Sequence, residues 1–336
     1  MRSGDPLPHG TELDLAPMPP LYDEQSSLSA PPLPHGAPRG VKRFDVVDVF
    51  CGVGGFSAGA RRFANAILGV DNDDLMVRLW SANTRGVGKL AELWTESIEW
   101  PDAHRSLHVH LSPPCTTLSK ARRVIGNVAH GLAFLRESLQ LLTEKRYTSW
   151  SIETVSTPTI RQFLTDFNSE KHLELAWTTV DAAEYGSPST RVRIIVGNRG
   201  LIRALRQIPV TRVTVADAFY RAGVQLPVGY IKNNTKTRAG RPCLRGVHEA
   251  CHTQTASHPL TWCTAEGQTV RCLSVRETAI IMGFPDDWML PSSSRDAFRA
   301  LGNAVPPPLS SAIMAAAVQA ASAVSTAQDA LDRGDA

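Results

Sequence analysis

Two residues in this chain could do chemistry together. Cys115 closes the run Ser112-Pro113-Pro114-Cys115, and Glu153 closes the run Trp150-Ser151-Ile152-Glu153. A thiol attacks as its thiolate, and a free cysteine titrates near about 8.5, so it needs a cationic or helix-terminal neighbourhood. Lys120, Arg122 and Arg123 follow shortly after Cys115. The prolines ahead of it stiffen the backbone and would hold the thiol at a defined place. A cysteine nucleophile with a carboxyl proton donor suits addition to an electron-poor ring. A lone cysteine is more often a buried structural residue; its place after Pro-Pro and before a polar segment favours the chemical reading.

A second cluster could hold a small ligand. Asp48-Val-Phe-Cys-Gly-Val-Gly-Gly-Phe-Ser57 joins an apolar run to a helical stretch. Glycines there let the backbone approach a ligand, and a helix N-terminus offers free N–H groups to an anion. Asp71 ends the next apolar run, 19 residues after Gly52 (71 − 52), an offset that suits a hydrogen bond to a ribose hydroxyl. A tight turn and a surface aspartate would account for the same residues. The full Gly-x-Gly-x-x-Gly pattern is absent, so a ligand with an adenosine and a carboxylate fits better than one with a pyrophosphate.

The elements that must position these residues read as alternating strands and helices. Phe44–Phe50, Ile67–Asp71, Leu107–Leu111, Trp150–Glu153 and Arg193–Gly197 are short apolar runs of strand length. Helical stretches are expected over 56–66, 130–144, 274–282 and the Ala-rich 309–332. This pattern predicts a doubly wound α/β sheet with ligands at the carboxyl ends of its strands. His108 and His110 alternate on one strand and read as structural. Cys243, Cys251, Cys263 and Cys272 form no Cys-x-x-Cys pair, so no metal site is expected.

The chain has 336 residues, 43% hydrophobic and 20% charged, which excludes wholesale disorder. Residues 1–40 hold nine of the 23 prolines and read as a disordered leader. They lack the apolar core of a secretion signal, and no stretch reads as a membrane span, so a cytoplasmic protein with no membrane partner is expected. The net charge of +3 is too mild to establish a nucleic-acid partner. Residues 203–245, however, carry nine basic residues against one acid, Asp217. Within them, residues 231–240 read as loop.

Taken together these residues resemble the DNA cytosine-5 methyltransferase family, which uses S-adenosylmethionine. Asp48–Ser57 is similar to its first motif, and Ser-Pro-Pro-Cys115 to its catalytic Pro-Cys motif. Glu153-Thr-Val resembles Glu-Asn-Val, and Ser189-Thr-Arg191-Val-Arg193 resembles Gln-x-Arg-x-Arg. Ser274–Glu277 with Gly283-Phe-Pro285 resembles the stretch after the recognition domain, and Gly302-Asn303-Ala-Val-Pro-Pro307 the last motif. The six occur in family order over roughly residues 44–320.

The resemblance implies a Rossmann-like methyltransferase sheet, formed by 43–200 and 274–325, with a small, reduced target-recognition lobe over 201–273. It implies that Cys115 adds to C6 of a flipped-out cytosine in double-stranded DNA. Glu153 would protonate or hydrogen-bond N3, Arg191 would hold O2, and Arg193 would support them. Asp48, Phe50, Cys51, Gly52, Gly54, Gly55, Asp71 and Asn303 would bind S-adenosylmethionine, with Glu96, Ser97 and Asp102 near the expected place of the acid that meets the adenine amino group. Ser119 and Arg123 would contact DNA on a closing loop, and Lys232, Lys236, Arg238 and Arg241 would do so from the lobe. A monomer is expected, and a restriction endonuclease partner is compatible with this reading. Two alternatives stay open: a tRNA cytosine-5 methyltransferase, since that branch also has a small recognition region, and a degenerate, non-catalytic DNA-binding regulator.

Overall fold

Val46, Val47 and Val49 are wholly buried, as an uninterrupted apolar run requires when both faces of its strand are covered. The computed structural model describes residues 43–92, 98–104, 106–114, 128–171, 175–236 and 242–333, all within one compact unit, Leu33–Ala336. The expected leader, residues 1–40, lies outside the described residues. The valine run is β1 (Phe44–Val49). With it, β2 (Ala64–Asp71), β3 (Val87–Leu90), β4 (Leu107–Leu111), β5 (Trp150–Val155), β6 (Leu175–Asp181) and β7 (Val192–Asn198) build a seven-stranded sheet in the order β3-β2-β1-β4-β5-β7-β6. Only β7 runs against its neighbours. The doubly wound sheet expected from the sequence is therefore present, with one reversed strand near its edge.

Helices cover both faces. α1 (Gly55–Ala60), α5 (Arg199–Gln207) and α9 (Pro307–Arg333) pack on one side, in a core with Val46, Phe56, Ile195, Leu205, Leu309 and Ile313. α3 (Val128–Glu144) and α4 (Pro158–Lys171) cover the other, against Val109, Leu111, Ile152 and Val196. α2 (Asp74–Thr84) sends Trp80 under the first glycine turn. α1 is shorter than the stretch 56–66 expected for it. Phe63 and Ala64 are core residues, and Phe44 already pairs with Ala64 across the β1–β2 ladder, so the chain leaves the helix to begin β2. The helical stretch Ser294–Val324 reaches a mean hydropathy of 1.2, yet 56% of its most apolar window is buried in the protein.

A second, antiparallel sheet of four strands has the order β11-β10-β8-β9. It comprises β8 (Tyr230–Lys236), β9 (Pro242–Gly246), β10 (Thr261–Cys263) and β11 (Thr269–Cys272). Residues 231–236 were expected to be loop. Ile231 is wholly buried and pairs with Arg245 and Trp262; these partners override the local preference of Asn and Thr for a turn. The sheet buries Trp262 against Phe219 of α6 (Val215–Arg221), ring centroids 5.6 Å apart and edge to face. Arg271 joins it to α7 (Val275–Met282) through two 2.7 Å bonds to Glu277, whose carboxylate also completes the helix cap with Ser274. Burial alone would raise the Glu277 pKa; the bonds from Arg271 and Ser274 outweigh it and bring the group down to about 2. Residues 201–208, expected in the lobe, lie instead in α5 and its end, with Leu201, Ile202, Leu205 and Ile208 in the core of the large sheet.

α1 and α9 approach so closely that a Cβ on Gly59 would stand 2.0 Å from the Pro307 carbonyl oxygen. Backbone cannot yield there as a flexible side chain would. Gly59→Ala should therefore lower stability by about 1–3 kcal/mol, the usual cost of overpacking, read as a fall in the thermal midpoint; an unchanged midpoint would show that the helices separate freely.

Candidate active site

The reactive corner forms where β5 meets β7. Glu153 faces Ile195 across the antiparallel ladder, and Arg193 faces Val155, so strand alternation puts Glu153 and Arg193 on one side of the sheet. Arg193 Nε stands 2.8 Å from Glu153 Oε1, with both side chains largely buried. The N–H does not point along that line, which leaves Oε1 without a directional hydrogen bond inside the protein. A charge contact without a linear bond keeps this oxygen's acceptor capacity for another donor.

Arg191 lies two residues away yet turns elsewhere. Its guanidinium donates to the carbonyls of Gly302 at 3.0 Å, Gln254 at 3.4 Å and Asn303 at 3.4 Å, and it is 5% exposed. Arg193, rather than Arg191, is the arginine beside Glu153. From the sequence, Arg191 is expected at the base with Arg193 behind it; among the described residues it is Arg193 that stands against Glu153. Cys115, with Ser119 and Arg123, lies outside the described residues. Ser112, at the end of β4, is half-buried, and its N–H donates to Val49 O at 3.1 Å.

The first glycine turn follows β1. Phe50 and Gly52 both take left-handed backbone, φ 58° and 50°; for phenylalanine this is uncommon and marks a functional turn. Gly52 has open space where a Cβ would stand. Its N–H donates to Asp71 Oδ2 at 2.8 Å, and Asp71 Oδ1 accepts from Asp73 N at 3.0 Å. The open face at Gly52, the half-buried Phe50 ring and the acid at the strand end fit a ligand that carries ribose hydroxyls and an aromatic base. Asn303 is exposed at the end of α8 (Ser294–Asn303).

Asp48, Cys51, Gly54 and Gly55 sit deeper. Asp48 is 1% exposed and accepts from Ser57 Oγ at 2.6 Å and Trp80 Nε1 at 3.4 Å. Burial pushes the Cys51 thiol well up, and Asp48 and Asp71 add to it. The far sides of Gly54 and Gly55 are filled by Trp288 and Trp80, and by Val305 and Ala304. These four residues hold the turn from beneath. Sequence reasoning missed Trp80, whose Nε1 also donates to Ser57 at 3.0 Å, and Trp288, whose Nε1 donates to Val53 O at 2.8 Å. Neither tryptophan stands in a recognisable motif. Asp102 is exposed, whereas Glu96 and Ser97 lie outside the described residues.

Of the expected DNA contacts, Lys232 spends its ammonium group on Gly267 O at 2.6 Å. Arg238, Arg241 and the side chain of Lys236 lie outside the described residues. Arg245 and Arg206 likewise bond backbone carbonyls, of Ala250 at 2.8 Å and Trp177 at 2.9 Å. The charge of 203–245 thus serves partly to tie the fold together. No group of three or more candidate metal ligands occurs among the described residues.

The profile of the family described as C-5 cytosine-specific DNA methylase matches residues 44–216 and 210–319. Among curated proteins no sequence match was found. A similar solved structure is a protein described as a DNA modification methyltransferase encoded within a prophage of E. coli. It has TM-score 0.57 and 17% identity, over 81% of this chain and 98% of that one. The S. pombe Dnmt2 methyltransferase has TM-score 0.53 at 13% identity, over 81% and 98%. The Entamoeba histolytica methyltransferase EhMeth has TM-score 0.53 at 14% identity, over 82% and 98%. At these identities the likeness is one of fold.

Asp48 makes a testable contribution to pH dependence. Burial raises its carboxyl from 3.8 to about 7, against the lowering effect of Ser57 and Trp80. Between those values the folded chain keeps a proton that the unfolded chain releases, so rising pH favours unfolding. The contribution is fully present below about 4 and is lost as pH rises through about 7. Relative to Asp48→Asn, the wild type should lose up to about 3 kcal/mol between pH 5 and 8, at about 1.4 kcal/mol per unit. Parallel urea melts of the two proteins check it; a constant difference would place Asp48 as ionised throughout.

Proposed function

The chain belongs to the C-5 cytosine-specific DNA methylase family, whose activity is methyl transfer to C5 of cytosine, and from that premise we propose that its substrate is a cytosine turned out of duplex DNA. The observation that carries the reading is the buried Glu153–Arg193 pair at the end of the central strands. In this reading the pair meets N3 and O2 of a flipped pyrimidine; Glu153 lies beside Ser112, one residue beyond the Leu111–Ile152 pair, and Ser112 opens the Ser-Pro-Pro-Cys115 segment. The C5 and C6 atoms of a stacked base are out of reach, so the base must leave the duplex.

In this reading the Cys115 thiolate adds to C6, and the C5–C6 π pair moves onto C5. Glu153 hydrogen-bonds N3 and the exocyclic amino group and supplies the proton that N3 takes up as the ring becomes electron-rich. Arg193 holds the Glu153 carboxyl in place and offers its remaining donors to O2. S-adenosylmethionine, for which Gly52, Phe50 and Asp71 form the fitting pocket, supplies the methyl group when bound. A base then removes the C5 proton, the C5–C6 double bond re-forms, N3 returns its proton to Glu153, and Cys115 leaves as thiolate. Preorganised donors in a buried site stabilise such charge far better than water does. Arg191 serves the fold, by fastening the last motif, rather than the base. The small sheet β8–β11 is the target-recognition lobe.

Incubation with labelled S-adenosylmethionine and either duplex DNA or tRNA, followed by nucleoside analysis, should give 5-methyldeoxycytidine from the DNA. Label only in tRNA would transfer the reading to the RNA substrate, and label in neither would refute catalysis. Cys115→Ser should abolish transfer and the covalent adduct with 5-fluorocytosine DNA. Glu153→Gln should cut kcat by about 100-fold or more, the scale of general acid catalysis, with DNA affinity little changed. Arg193→Ala should act on kcat, whereas Arg191→Ala should act first on the melting temperature; the opposite assignment of the two effects would restore the order expected from the sequence.

A further inference from the structure

Two imidazoles lie under this site and take no part in the chemistry above. His108 and His110 alternate on β4, so both face the side of the sheet that carries Ser151 and Glu153 on β5. Their ring nitrogens form one unbroken chain. Ser149 Oγ lies 2.8 Å from His108 Nδ1, and His108 Nε2 lies 2.9 Å from Ser151 Oγ. Ser151 Oγ lies 2.8 Å from His110 Nδ1, and His110 Nε2 lies 2.8 Å from Ser112 Oγ. Both histidines and Ser151 are wholly buried. Phe56 of α1 stacks on His110, ring centroids 3.6 Å apart and 3° from parallel, which fixes the plane of the ring.

Burial holds both rings neutral: it lowers His108 to about 3 and His110 well below its ordinary value. A neutral imidazole has one N–H and one lone pair. Ser151 owns a single proton and stands between two ring nitrogens. To satisfy both rings and also place its own proton within the chain, it must donate to one ring and accept from the other. The two tautomers are thereby locked together, and the chain runs in one direction or the other as a unit. In one direction Ser112 accepts from His110 and its own proton is free to donate into the site. In the other it donates to His110 and offers only lone pairs. A mixed arrangement leaves a buried group unpaired, at about 1–3 kcal/mol.

Ser112 is where this matters. It stands one residue beyond the Leu111–Ile152 pair, hence beside Glu153 in register, and three residues before Cys115 in sequence. Resting on the function proposed above, we infer that His110 is a positioning residue for methyl transfer: through the chain from Ser149 it sets whether the Ser112 hydroxyl donates or accepts at the edge of the site that holds Glu153. The sequence shows the alternation of the two histidines. It does not show the three serines, from two other positions on the sheet, that join them.

The test uses four variants of the full chain. Ser112→Ala removes the end of the chain. His110→Asn keeps an amide near the Nδ1 position, toward Ser151, but falls short of Ser112; His110→Gln reaches Ser112. Ser112→Ala and His110→Asn should each lower kcat about tenfold, about 1.4 kcal/mol, with the KM for S-adenosylmethionine unchanged. The double variant should lose no more than either single one, and His110→Gln should recover the turnover that His110→Asn loses. In nitrogen-15 spectra Ser112→Ala should change the tautomer balance of His108, which it does not touch. Wild-type turnover by Ser112→Ala, multiplied losses in the double variant, or a His108 signal indifferent to Ser112→Ala would each overturn the proposal. A wild-type chain that methylates neither DNA nor tRNA, with His108 still responding to Ser112→Ala, would overturn the function reading and leave the polarised chain standing.

Discussion

The whole arrangement hangs on one buried cation. The guanidinium of Arg191 binds carbonyls of Gln254, Gly302 and Asn303, groups drawn from two segments far apart in the sequence. Its own N–H is fixed by Asp181 at 2.7 Å. An arginine this buried is costly unless its donors are met, and its fork of five N–H groups can meet several carbonyls at once. It thereby pins the segment between β9 and β10 and the end of α8 to the start of β7. The same start of β7 carries Arg193 to Glu153. One residue closes the architecture, and its neighbour but one completes the site.

A second constraint acts on the other side of the sheet centre. The glycine turn after β1 is supported from below by Asp48, Ser57, Trp80 and Trp288. The upper surface, at Gly52, is open. The same α1 that ends this turn places Phe56 on His110. The ligand corner and the strand that leads to Cys115 are therefore mechanically continuous, through the ring stack and through the β1–β4 ladder that ends with Ser112 N–H on Val49 O.

Much of this was legible in the residues. β4 has the boundaries its apolar run predicts, and β1, β5 and β7 lie within a residue or two of theirs, because a buried central strand leaves an apolar signal that nothing else in the chain imitates. Asp71 was legible as an acid at a strand end; Glu153 reads the same way in sequence, but β5 continues two residues beyond it to Val155. β6 was not, since Trp177, Thr178 and Thr179 alternate weakly at a half-covered edge. β3 and β8 are short or polar and exist through their partners. The division of labour between Arg191 and Arg193 could not be read at all. Both stand on the same side of the strand by parity, and only the neighbours decide which reaches the acid. Charge alone could not say which basic residues of 203–245 serve the fold: Lys232, Arg206 and Arg245 bind backbone carbonyls.

The packing of α9 on α1 and α5 has a consequence for how this protein comes into being. Among the described elements β1 and α1 come first in chain order, and the helix that covers them comes after all the others. Until Leu309, Ile313 and their neighbours emerge, Phe56, Leu201 and Leu205 have no lid. Local contacts cannot complete this half of the core, and long-range closure is slow and exposes apolar surface meanwhile. The domain is thus committed late in synthesis. A ribosome stalled before α9 would display an open apolar face on the side of the sheet that carries Glu153 and Arg193.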